Sequence, residues 1–460
     1  MNGSWLKSRN LKERIVVQGT LVLGTPTHLG NGDADGPLDM PLITDPLKGY
    51  ALLTGSSVAG ALRAYVQSHN RQWANILFGR VTRTTSYESY LIVDDAIGET
   101  LPSVELRDGV AIAPITRTAE EGKKYDMELL EAGTAFNLSF EVLLGETNAD
   151  LLLKAVTLAL QGLETGKICL GKRKRRGFGK CRVMGWRVQR FDMTTPQGML
   201  AWLKNEAPVI EKTEIGEALN VSLVGAPLSQ TDWLTLTATL GVEGSVLIRS
   251  GTGKPGAPDV VHLRSKRGGQ EQLILSGTSI AGALRAQALR IANTLNPKGG
   301  WEFVEGLFGV RAKQGDRKRK LTTSKLWIDE VEVCKPHEYV QTRLKIDRFT
   351  GGAYPGALFS EQAAFGSADT HITLKLRVQE PSAAQVGLLM LLLKDLWTGE
   401  LPIGGGQNIG RGRLSGRHAE LQWGGQPWIL TQQGDALVIE GVATALQKAV
   451  SAFEQEMMAQ

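Results

Sequence analysis

One ten-residue motif occurs twice in the chain and constrains the fold more than any other feature. The copy GSSVAGALRA begins at Gly55, and the copy GTSIAGALRA begins at Gly277, 222 residues later. Each copy follows an apolar run and opens a helical pattern, so the sequence predicts a strand that leads through Gly-Ser/Thr-Ser into a helix.

Hydroxyls and free backbone N–H groups at a helix N-terminus can bind an anion such as a phosphate. Simple N-capping with small residues for tight packing explains a single copy equally well. Because the motif is repeated almost unchanged, we favour the phosphate site. The candidate residues are Ser56, Ser57, Arg63, Thr278, Ser279 and Arg285.

Further segments repeat in the same order along the chain. They comprise a strand of β-formers (16–23 and 234–242), Leu-Phe-Gly (77–79 and 307–309), an apolar strand (90–94 and 325–329), a helical stretch ending in Thr-Gly (151–166 and 384–399) and a glycine-punctuated loop (171–179 and 404–412). From the motif onward, their offsets lie between 222 and 235.

These collinear repeats indicate a tandem duplication. We predict units at 1–190 and 231–425, a linker or embellishment at 191–230, and a C-terminal extension with an amphipathic helix at 426–460. Strands mixed with two principal helices per unit predict an α+β, ferredoxin-like fold in each.

The composition excludes several classes of protein. The 52 Lys and Arg against 47 Asp and Glu give a net charge of +5, which permits a polyanionic partner. Three cysteines without a CxxC spacing argue against a disulfide framework, and the six histidines show no zinc-ligand spacing. The longest strongly apolar run, 386–393, is too short to cross a bilayer. We therefore expect a cytoplasmic protein that does not contact membranes.

The positive charge is concentrated in the glycine-punctuated loops. Five consecutive cations at 172–176 stand between glycines, which let a backbone approach a ligand closely. We favour contact with an RNA phosphate backbone over a merely solvated loop. The candidates are Lys172, Arg173, Lys174, Arg175 and Arg176, with Gln407, Asn408, Arg411 and Arg413 in the twin loop. A second basic stretch, 311–320, has no twin and is predicted to be a mobile loop.

On these motifs the chain resembles the RAMP superfamily of CRISPR proteins. More narrowly, both units resemble the backbone subunit of type III effector complexes. The second copy carries a further signature of that group at 346–353, followed by Leu358, Phe359 and Glu361, while the first keeps only Ile112, Thr116 and Glu128. The two-unit length is similar to the double backbone subunit of some type III-D variants.

The resemblance implies a modified RNA-recognition fold without stacking aromatics and with a protruding β-hairpin, the thumb, in each unit. Such subunits line up along a guide RNA (crRNA) with other type III subunits, and the thumbs kink the RNA at regular intervals. Target RNA paired to the guide is cut opposite each kink by an aspartate in the loop after the first strand, with a divalent ion such as Mg²⁺.

Asp39 and Asp259 are the predicted catalytic and metal-binding residues. The family pattern, Asp-x-Pro followed by Asp-Pro, fits Asp39 with Pro41 and Asp45, and it does not fit Asp33 or Asp35. Asp259 is the carboxylate of the second loop, but neither proline of the pattern follows it. A loop carboxylate can hold hydrated Mg²⁺ or help to deprotonate a 2′-OH, although loop aspartates commonly just shape turns. Because no partner base stands beside it, we expect slow cutting.

Three hypotheses of function remain open at the level of sequence. The first is a metal-dependent endoribonuclease subunit of an RNA-guided complex. The second is a scaffold that binds guide RNA and cuts nothing. The third is a stand-alone endonuclease that processes precursor guide RNA with a histidine near the N-terminal strand, for which His28 is the candidate.

Overall fold

A computed structural model describes residues 11–30, 32, 39–81, 86–113, 116, 118–146, 148–229, 231–251, 256–310 and 321–459. The helices are α1 Gly55–His69, α2 Arg71–Leu77, α3 Ala149–Glu164, α4 Pro196–Lys204, α5 Ile215–Leu219, α6 Gly277–Leu295, α7 Gly300–Phe308, α8 Ala383–Trp397 and α9 Ala443–Ala459. Among the residues that the structure describes, no helix is long and apolar enough to span a bilayer.

The strands fall into two sets, one for each half of the chain. The first set is β1 Leu11–Leu23, β2 Leu52–Leu53, β3 Arg80–Val81, β4 Ser86–Tyr87, β5 Leu91–Val93, β6 Ala96–Ile97, β7 Val104–Ile112, β8 Ala119–Leu130, β9 Ala135–Gly145, β10 Cys181–Asp192 and β11 Ile210–Lys212. The second set is β12 Trp233–Glu243, β13 Ser245–Val246, β14 Arg249–Ser250, β15 Val260–His262, β16 Arg264–Arg267, β17 Gln270–Leu275, β18 Leu326–Ile328, β19 Val331–Cys334, β20 His337–Ile346, β21 Ala353–Phe365, β22 His371–Gln379, β23 Arg413–Trp423, β24 Gln426–Gln433 and β25 Ala436–Glu440.

The first unit is an antiparallel sheet in the order β11-β10-β1-β9-β5. Strand β1 pairs with β9 on one side and with β10 on the other. Along the chain, α1 follows β1 and α3 connects β9 to β10. The order β1-α1-β5-β9-α3-β10 is therefore the βαββαβ arrangement of a ferredoxin-like fold, as the sequence predicts.

The second unit repeats this topology. Its central strand β12 lies between β22 and β23, and β18 pairs with β22. Helix α6 precedes β18, and α8 connects β22 to β23. The sheet continues through β24 and β25 beyond β23, and through β19, β17 and β16 on the other side. The prediction of two tandem ferredoxin-like units is confirmed.

Alternating burial explains why the central strand of each unit forms. Ile15, Val17 and Leu21 on β1 are fully buried, whereas the residues between them are more exposed. This period of two places one face of the strand against the helices. Helix α3 buries Leu152, Val156 and others at helical spacing against that face. Each fully buried leucine or valine contributes about 1.5–3 kcal/mol to folding.

A long β-hairpin is inserted between the second and third core strands of each unit. In the first unit β7 pairs with β8, and in the second β20 pairs with β21. The signature segment 346–353 forms the tip of the second hairpin, where the Asp347 carboxylate accepts the backbone N–H groups of Phe349 and Thr350. Phe349 is 95 % exposed there. These hairpins are the thumb insertions that the resemblance predicts.

The predicted linker and tail are parts of the two units. In 191–230, β11 extends the first sheet, and α5 buries Ile215 and Leu219 in the first core. In 426–460, α9 buries Phe453 in the second core. Helix α9 lies so close to α8 that a Cβ on Gly387 would be 2.1 Å from the backbone oxygen of Ala449.

The first unit's glycine-rich loop, 171–179, docks on the second unit. The Arg176 guanidinium donates to the backbone oxygen of Leu326 at 2.9 Å, and Lys180 Nζ is 2.6 Å from Asp329 Oδ2. A Cβ on Gly277, the first residue of α6, would be 2.3 Å from the backbone oxygen of Arg176. We call these contacts the joint.

A buried charge network reinforces the joint. Arg107 on β7 is 5 % exposed and pairs with Glu330 of the second unit, whose side chain is 1 % exposed, and with Glu105. Arg267 Nη2 also contacts Glu330, at 2.7 Å. Although burial opposes the charge of Arg107, Glu330 and Glu105 raise its pKa above the usual value. Two arginines and two glutamates therefore form ion pairs at the contact between the units.

Candidate nucleic-acid interface

Asp39 and Asp259 occupy equivalent positions in the two units. Asp39 Oδ2 accepts the backbone N–H of Asp126 at 2.9 Å. Asp259 Oδ2 accepts the backbone N–H of Ser360 at 2.7 Å and the Ser360 hydroxyl at 3.1 Å. Asp126 lies on β8 and Ser360 on β21, the second strand of each hairpin. The structure thus attaches both aspartates to the hairpins in the same way.

Both carboxylates are exposed and therefore accessible to a ligand. The Ser360 backbone N–H and hydroxyl lower the pKa of Asp259, so this carboxylate is ionised at neutral pH. Among the described residues, no group of three or more His, Cys, Asp or Glu side chains could hold a metal ion together. A single exposed carboxylate nevertheless fits Mg²⁺, which keeps several waters and binds through one or two carboxylates plus phosphates.

The predicted cation run divides into two parts. Lys172 is exposed, and its backbone N–H donates to the oxygen of His28 at 3.1 Å. Arg173 donates to the Tyr125 hydroxyl, and its guanidinium lies 4.5 Å from the centre of that ring. Tyr125 is the neighbour along β8 of Asp126, whose backbone N–H holds Asp39. Lys174 is half-buried at the start of a short 3-10 turn, Lys174–Arg176.

The other part of the run belongs to the joint, which corrects the prediction for Arg176, while RNA contact by Arg175 stays a prediction. The Arg175 guanidinium lies 5.4 Å from the Trp327 ring, and Arg176 is held by the oxygen of Leu326. Burial and the neighbouring Arg175 lower the pKa of Arg176 to about 10, so it stays a cation at neutral pH. Arg176 is therefore engaged by the second unit, whereas Arg175 is half-buried against Trp327.

The twin loop also departs from the prediction. Arg411 is 3 % exposed, lies 2.9 Å from Glu361 Oε2 and donates to Gln341 at 3.0 Å, so it fastens the loop to the thumb and cannot contact RNA. Gln407 donates to two backbone oxygens of its own loop. Asn408 and Arg413 are exposed.

The two helix starts share one hydroxyl arrangement. Thr54 caps α1 by accepting the N–H of Ser57, and Ser276 caps α6 by accepting the N–H of Ser279. Ser56 and Thr278 donate to the same caps.

These groups are satisfied without a phosphate. The Gly55 N–H donates to Asp95 at 2.7 Å, and the oxygen of Arg176 covers the start of α6. Arg285 lies 3.8 Å from Glu305. The geometry favours capping and packing at the helix starts. Phosphate binding there stays a prediction, and these positions are not part of the RNA path that we propose.

Two histidines near the aspartate loops are buried. His28 is 1 % exposed with Nδ1 2.9 Å from the oxygen of Glu128, and burial lowers its pKa. His262 is 2 % exposed, lies 3.0 Å from the oxygen of Ile274, and burial lowers its pKa to about 4. His28 cannot touch a substrate in this position, so the processing-endonuclease hypothesis loses its candidate catalyst.

His262 predicts a specific acid sensitivity. Between pH 6.5 and about 4, the unfolded chain binds a proton at His262 more readily than the folded chain, so the free energy of unfolding falls as the pH is lowered. We expect His262 to cost about 2 kcal/mol at pH 5 relative to pH 7.5. Urea unfolding of wild type and His262→Asn at both pH values measures this. An equal loss in both proteins would contradict the prediction.

Sequence reasoning missed several residues of this region. Asp126 and Ser360 hold the two aspartates by hydrogen bonds, and Tyr125 accepts a hydrogen bond from Arg173. In the sequence, only the position of Ser360 beside the signature residue Glu361 indicated any of these roles. Arg249 was also missed: it is exposed, and a Cβ on Gly405 would lie 3.1 Å from its Nε. Asp33, Asp35 and the basic stretch 311–320 lie outside the described residues.

Comparison with known families agrees with the duplicated architecture. The profile of the RAMP superfamily matches twice, at residues 20–182 and 245–415. The two matches fall on the two ferredoxin-like units and include both hairpins, both glycine-rich loops and Asp39 and Asp259. No protein of curated function matches the chain significantly. Members of the family are in general CRISPR-associated RNA-binding proteins, and some cleave RNA. The chain belongs to the RAMP superfamily and contains two RAMP units in tandem.

Proposed function

We propose that the protein is a backbone subunit of a type III CRISPR effector that binds the guide crRNA and cuts paired target RNA at Asp39 and Asp259. One observation carries this proposal. The two aspartates, which differ in their local sequence, are held in the same way at the second strand of the hairpin in each unit. Because the carboxylate and the hairpin that holds it occur once in each unit, this observation supports one cleavage reaction in each unit.

The proposed RNA path runs beside the hairpins. In the first unit Arg173 carries positive charge at Tyr125, the strand neighbour of Asp126, and Lys172 precedes it in the loop. In the second unit the corresponding positions are Gly405 and Gly406, and Arg249 on β14 lies against Gly405 instead. These cations would contact phosphates whatever the base sequence. The thumbs, with Phe349 at the tip of the second, would displace bases of the RNA.

Each aspartate would contribute a single carboxylate to the reaction. The backbone N–H of Asp126 or Ser360 fixes one oxygen of the carboxylate, which would hold a hydrated divalent ion or accept a proton from a ribose 2′-OH. When bound, Mg²⁺ would neutralise the charge that develops on the phosphate. Alignment of the 2′-OH with the phosphate would then come from the shape that the thumb imposes on the RNA.

The scaffold hypothesis is the second candidate. If the aspartates only shape their loops, the joint, the hairpins and the cations would still allow the protein to bind guide RNA. A scaffold predicts that paired target RNA is bound and left intact.

The cations beside the first hairpin should govern RNA affinity. We expect Lys172→Ala, Arg173→Ala and Lys174→Ala together to weaken binding of any single-stranded RNA. Because each lost phosphate contact removes about 0.7 from the slope of log K against log salt, the slope should fall by about 2. Filter binding of two unrelated RNA sequences over a series of salt concentrations measures both effects.

A matched triple variant controls for net charge. Arg187, Lys204 and Lys212 are exposed near the β10–β11 edge, where they pair with Glu211, Glu206 and Glu217. Replacing these three with Ala removes the same charge and should leave the salt slope near the wild-type value. Equal slopes for the two triple variants would mean that the loop makes no specific phosphate contacts.

A further inference from the structure

A buried ion pair of the second unit connects its glycine-rich loop to the strand that holds Asp259. Glu361 follows Ser360 on β21, and its carboxylate lies 2.9 Å from the Arg411 guanidinium of the loop. Both side chains are buried. The backbone of Glu361 pairs with Val260, the residue after Asp259. Glu361 is therefore in contact with the loop through its side chain and with the aspartate strand through its backbone.

The first unit makes the same connection with an apolar contact. Met127 on β8 forms a parallel β-bridge with Met40, the residue after Asp39. Its side chain packs in a small cluster with Phe178, which belongs to the glycine-rich loop of this unit. Both side chains are buried. Two apolar side chains therefore link the loop to the strand that holds Asp39.

The two pairs occupy corresponding positions in the duplicated fold. Phe178 and Arg411 are separated by 233 residues, which is the offset of the two loops. Met127 and Glu361 are separated by 234 residues, and each comes directly after the residue whose backbone N–H holds an aspartate. The fold thus accepts either an apolar pair or an ion pair at this place, and each unit has one of the two.

An ion pair makes the connection in the second unit sensitive to the loss of one partner. Burial lowers the pKa of Arg411, and the neighbouring Glu361 opposes that shift. Removing one partner leaves the charge of the other buried, whereas replacing both with apolar side chains of similar volume is often tolerated. Arg343 also lies 3.1 Å from Glu361, but its side chain is 32 % exposed and belongs to the hairpin. Of these two arginines, only Arg411 reaches Glu361 from the loop.

We infer that Glu361 and Arg411 are positioning residues for Asp259. They hold β21 against the glycine-rich loop, so that Ser360 stays in place to donate its N–H and hydroxyl to the Asp259 carboxylate. Because both side chains are buried, neither contacts the substrate in this role. The inference rests on the proposed function and names the residues on which the second cut depends. The first cut depends instead on the apolar pair.

Transfer of the apolar pair to the second unit tests the inference in the assembled complex. Glu361→Met and Arg411→Phe should each slow the second cut by about tenfold or more and leave the first cut at the wild-type rate. The double variant Glu361→Met, Arg411→Phe should restore most of the second cut, because it rebuilds the contact that the first unit uses. Arg343→Met is the matched control and should leave both cuts unchanged, since Arg411 still holds Glu361. The first cut reports whether each variant folds and assembles.

Amide hydrogen exchange of the full chain without RNA separates this inference from the proposed function. The segment 358–362 should exchange faster in both single variants, because the Ser360 N–H loses its bond to Asp259, and at the wild-type rate in the double variant. Unchanged exchange in the single variants, or a double variant as impaired as the single ones, would overturn the inference. A wild type that cuts at neither position would contradict the proposed function, and amide exchange would then decide the positioning role alone.

Discussion

Asp39→Asn should abolish one cut in the paired target RNA while guide and target binding stay at wild-type levels. Asn keeps the size of Asp and can still accept the N–H of Asp126, so the loop should hold its place. It loses the negative charge that a metal ion or a transferred proton needs. We expect cutting at that position to slow by about 100-fold or more. Denaturing gels of end-labelled target, incubated with the assembled complex, report each cut separately.

Asp259→Asn should remove the neighbouring cut, displaced along the RNA by the footprint of one unit. Asn can accept the N–H and hydroxyl of Ser360 as Asp259 does. The double variant should bind target and leave it intact over the stretch that this chain covers. Loss of both cuts in the Asp39 variant alone would mean that only the first unit is a nuclease.

Asp45→Asn is the matched control for these variants. Asp45 belongs to the same loop, but its carboxylate accepts the N–H groups of Leu47 and Lys48 in its own turn. Asn can keep these hydrogen bonds, so we expect normal cutting at both positions. If Asp45→Asn slowed cutting as much as Asp39→Asn, general negative charge in the loop would explain the effect and the assignment of Asp39 would fall.

Arg107→Met should be the most destabilising single change in the joint. Met fills a similar volume but leaves Glu105 without its arginine and Glu330 with only Arg267, in a site where Glu330 is almost fully buried. Breaking a buried ion pair by removing one partner typically costs about 3–5 kcal/mol. We expect urea unfolding to begin at a clearly lower concentration, and limited proteolysis to cut between the units sooner than in wild type.

An exposed ion pair on the same hairpin provides the comparison. Lys124 lies 3.6 Å from Asp108, and both side chains are about half exposed. Such pairs contribute about 0–1 kcal/mol, so Lys124→Met should leave the urea midpoint almost unchanged. Equal shifts for Arg107→Met and Lys124→Met would show that burial of the Arg107 network adds no stability.

The repeat made most of the fold predictable from sequence. Two copies of each helix and strand signal reinforce each other, so α3 and α8 were predicted to within two residues of their observed ends. The extensions at 191–230 and 426–460 were separated from the units because α5 and α9 have no repeat partner. Their burial depends on tertiary contacts, such as Phe453 against the second core, that local patterns do not encode.

The site was harder to predict, because a charged residue in the sequence does not reveal whether its side chain contacts protein or RNA. Arg176 and Arg411 lie in glycine-rich basic loops and look like RNA ligands, yet both are held by protein groups. The pairing of Asp39 with Asp259 was predicted despite their different surroundings, and the hydrogen bonds from Asp126 and Ser360 give it a physical basis. Those bonds join residues that are 87 and 101 positions apart, which a local pattern cannot show.

The central claim is that each unit places one carboxylate for metal-dependent cutting of a paired RNA. Its most direct test uses the wild-type complex loaded with guide and a target labelled at both ends, with Mg²⁺ or with EDTA. We predict two cuts separated by the footprint of one unit in Mg²⁺, and bound, intact target in EDTA. Target that is bound in Mg²⁺ and stays intact, or cuts that persist in EDTA, would contradict the claim.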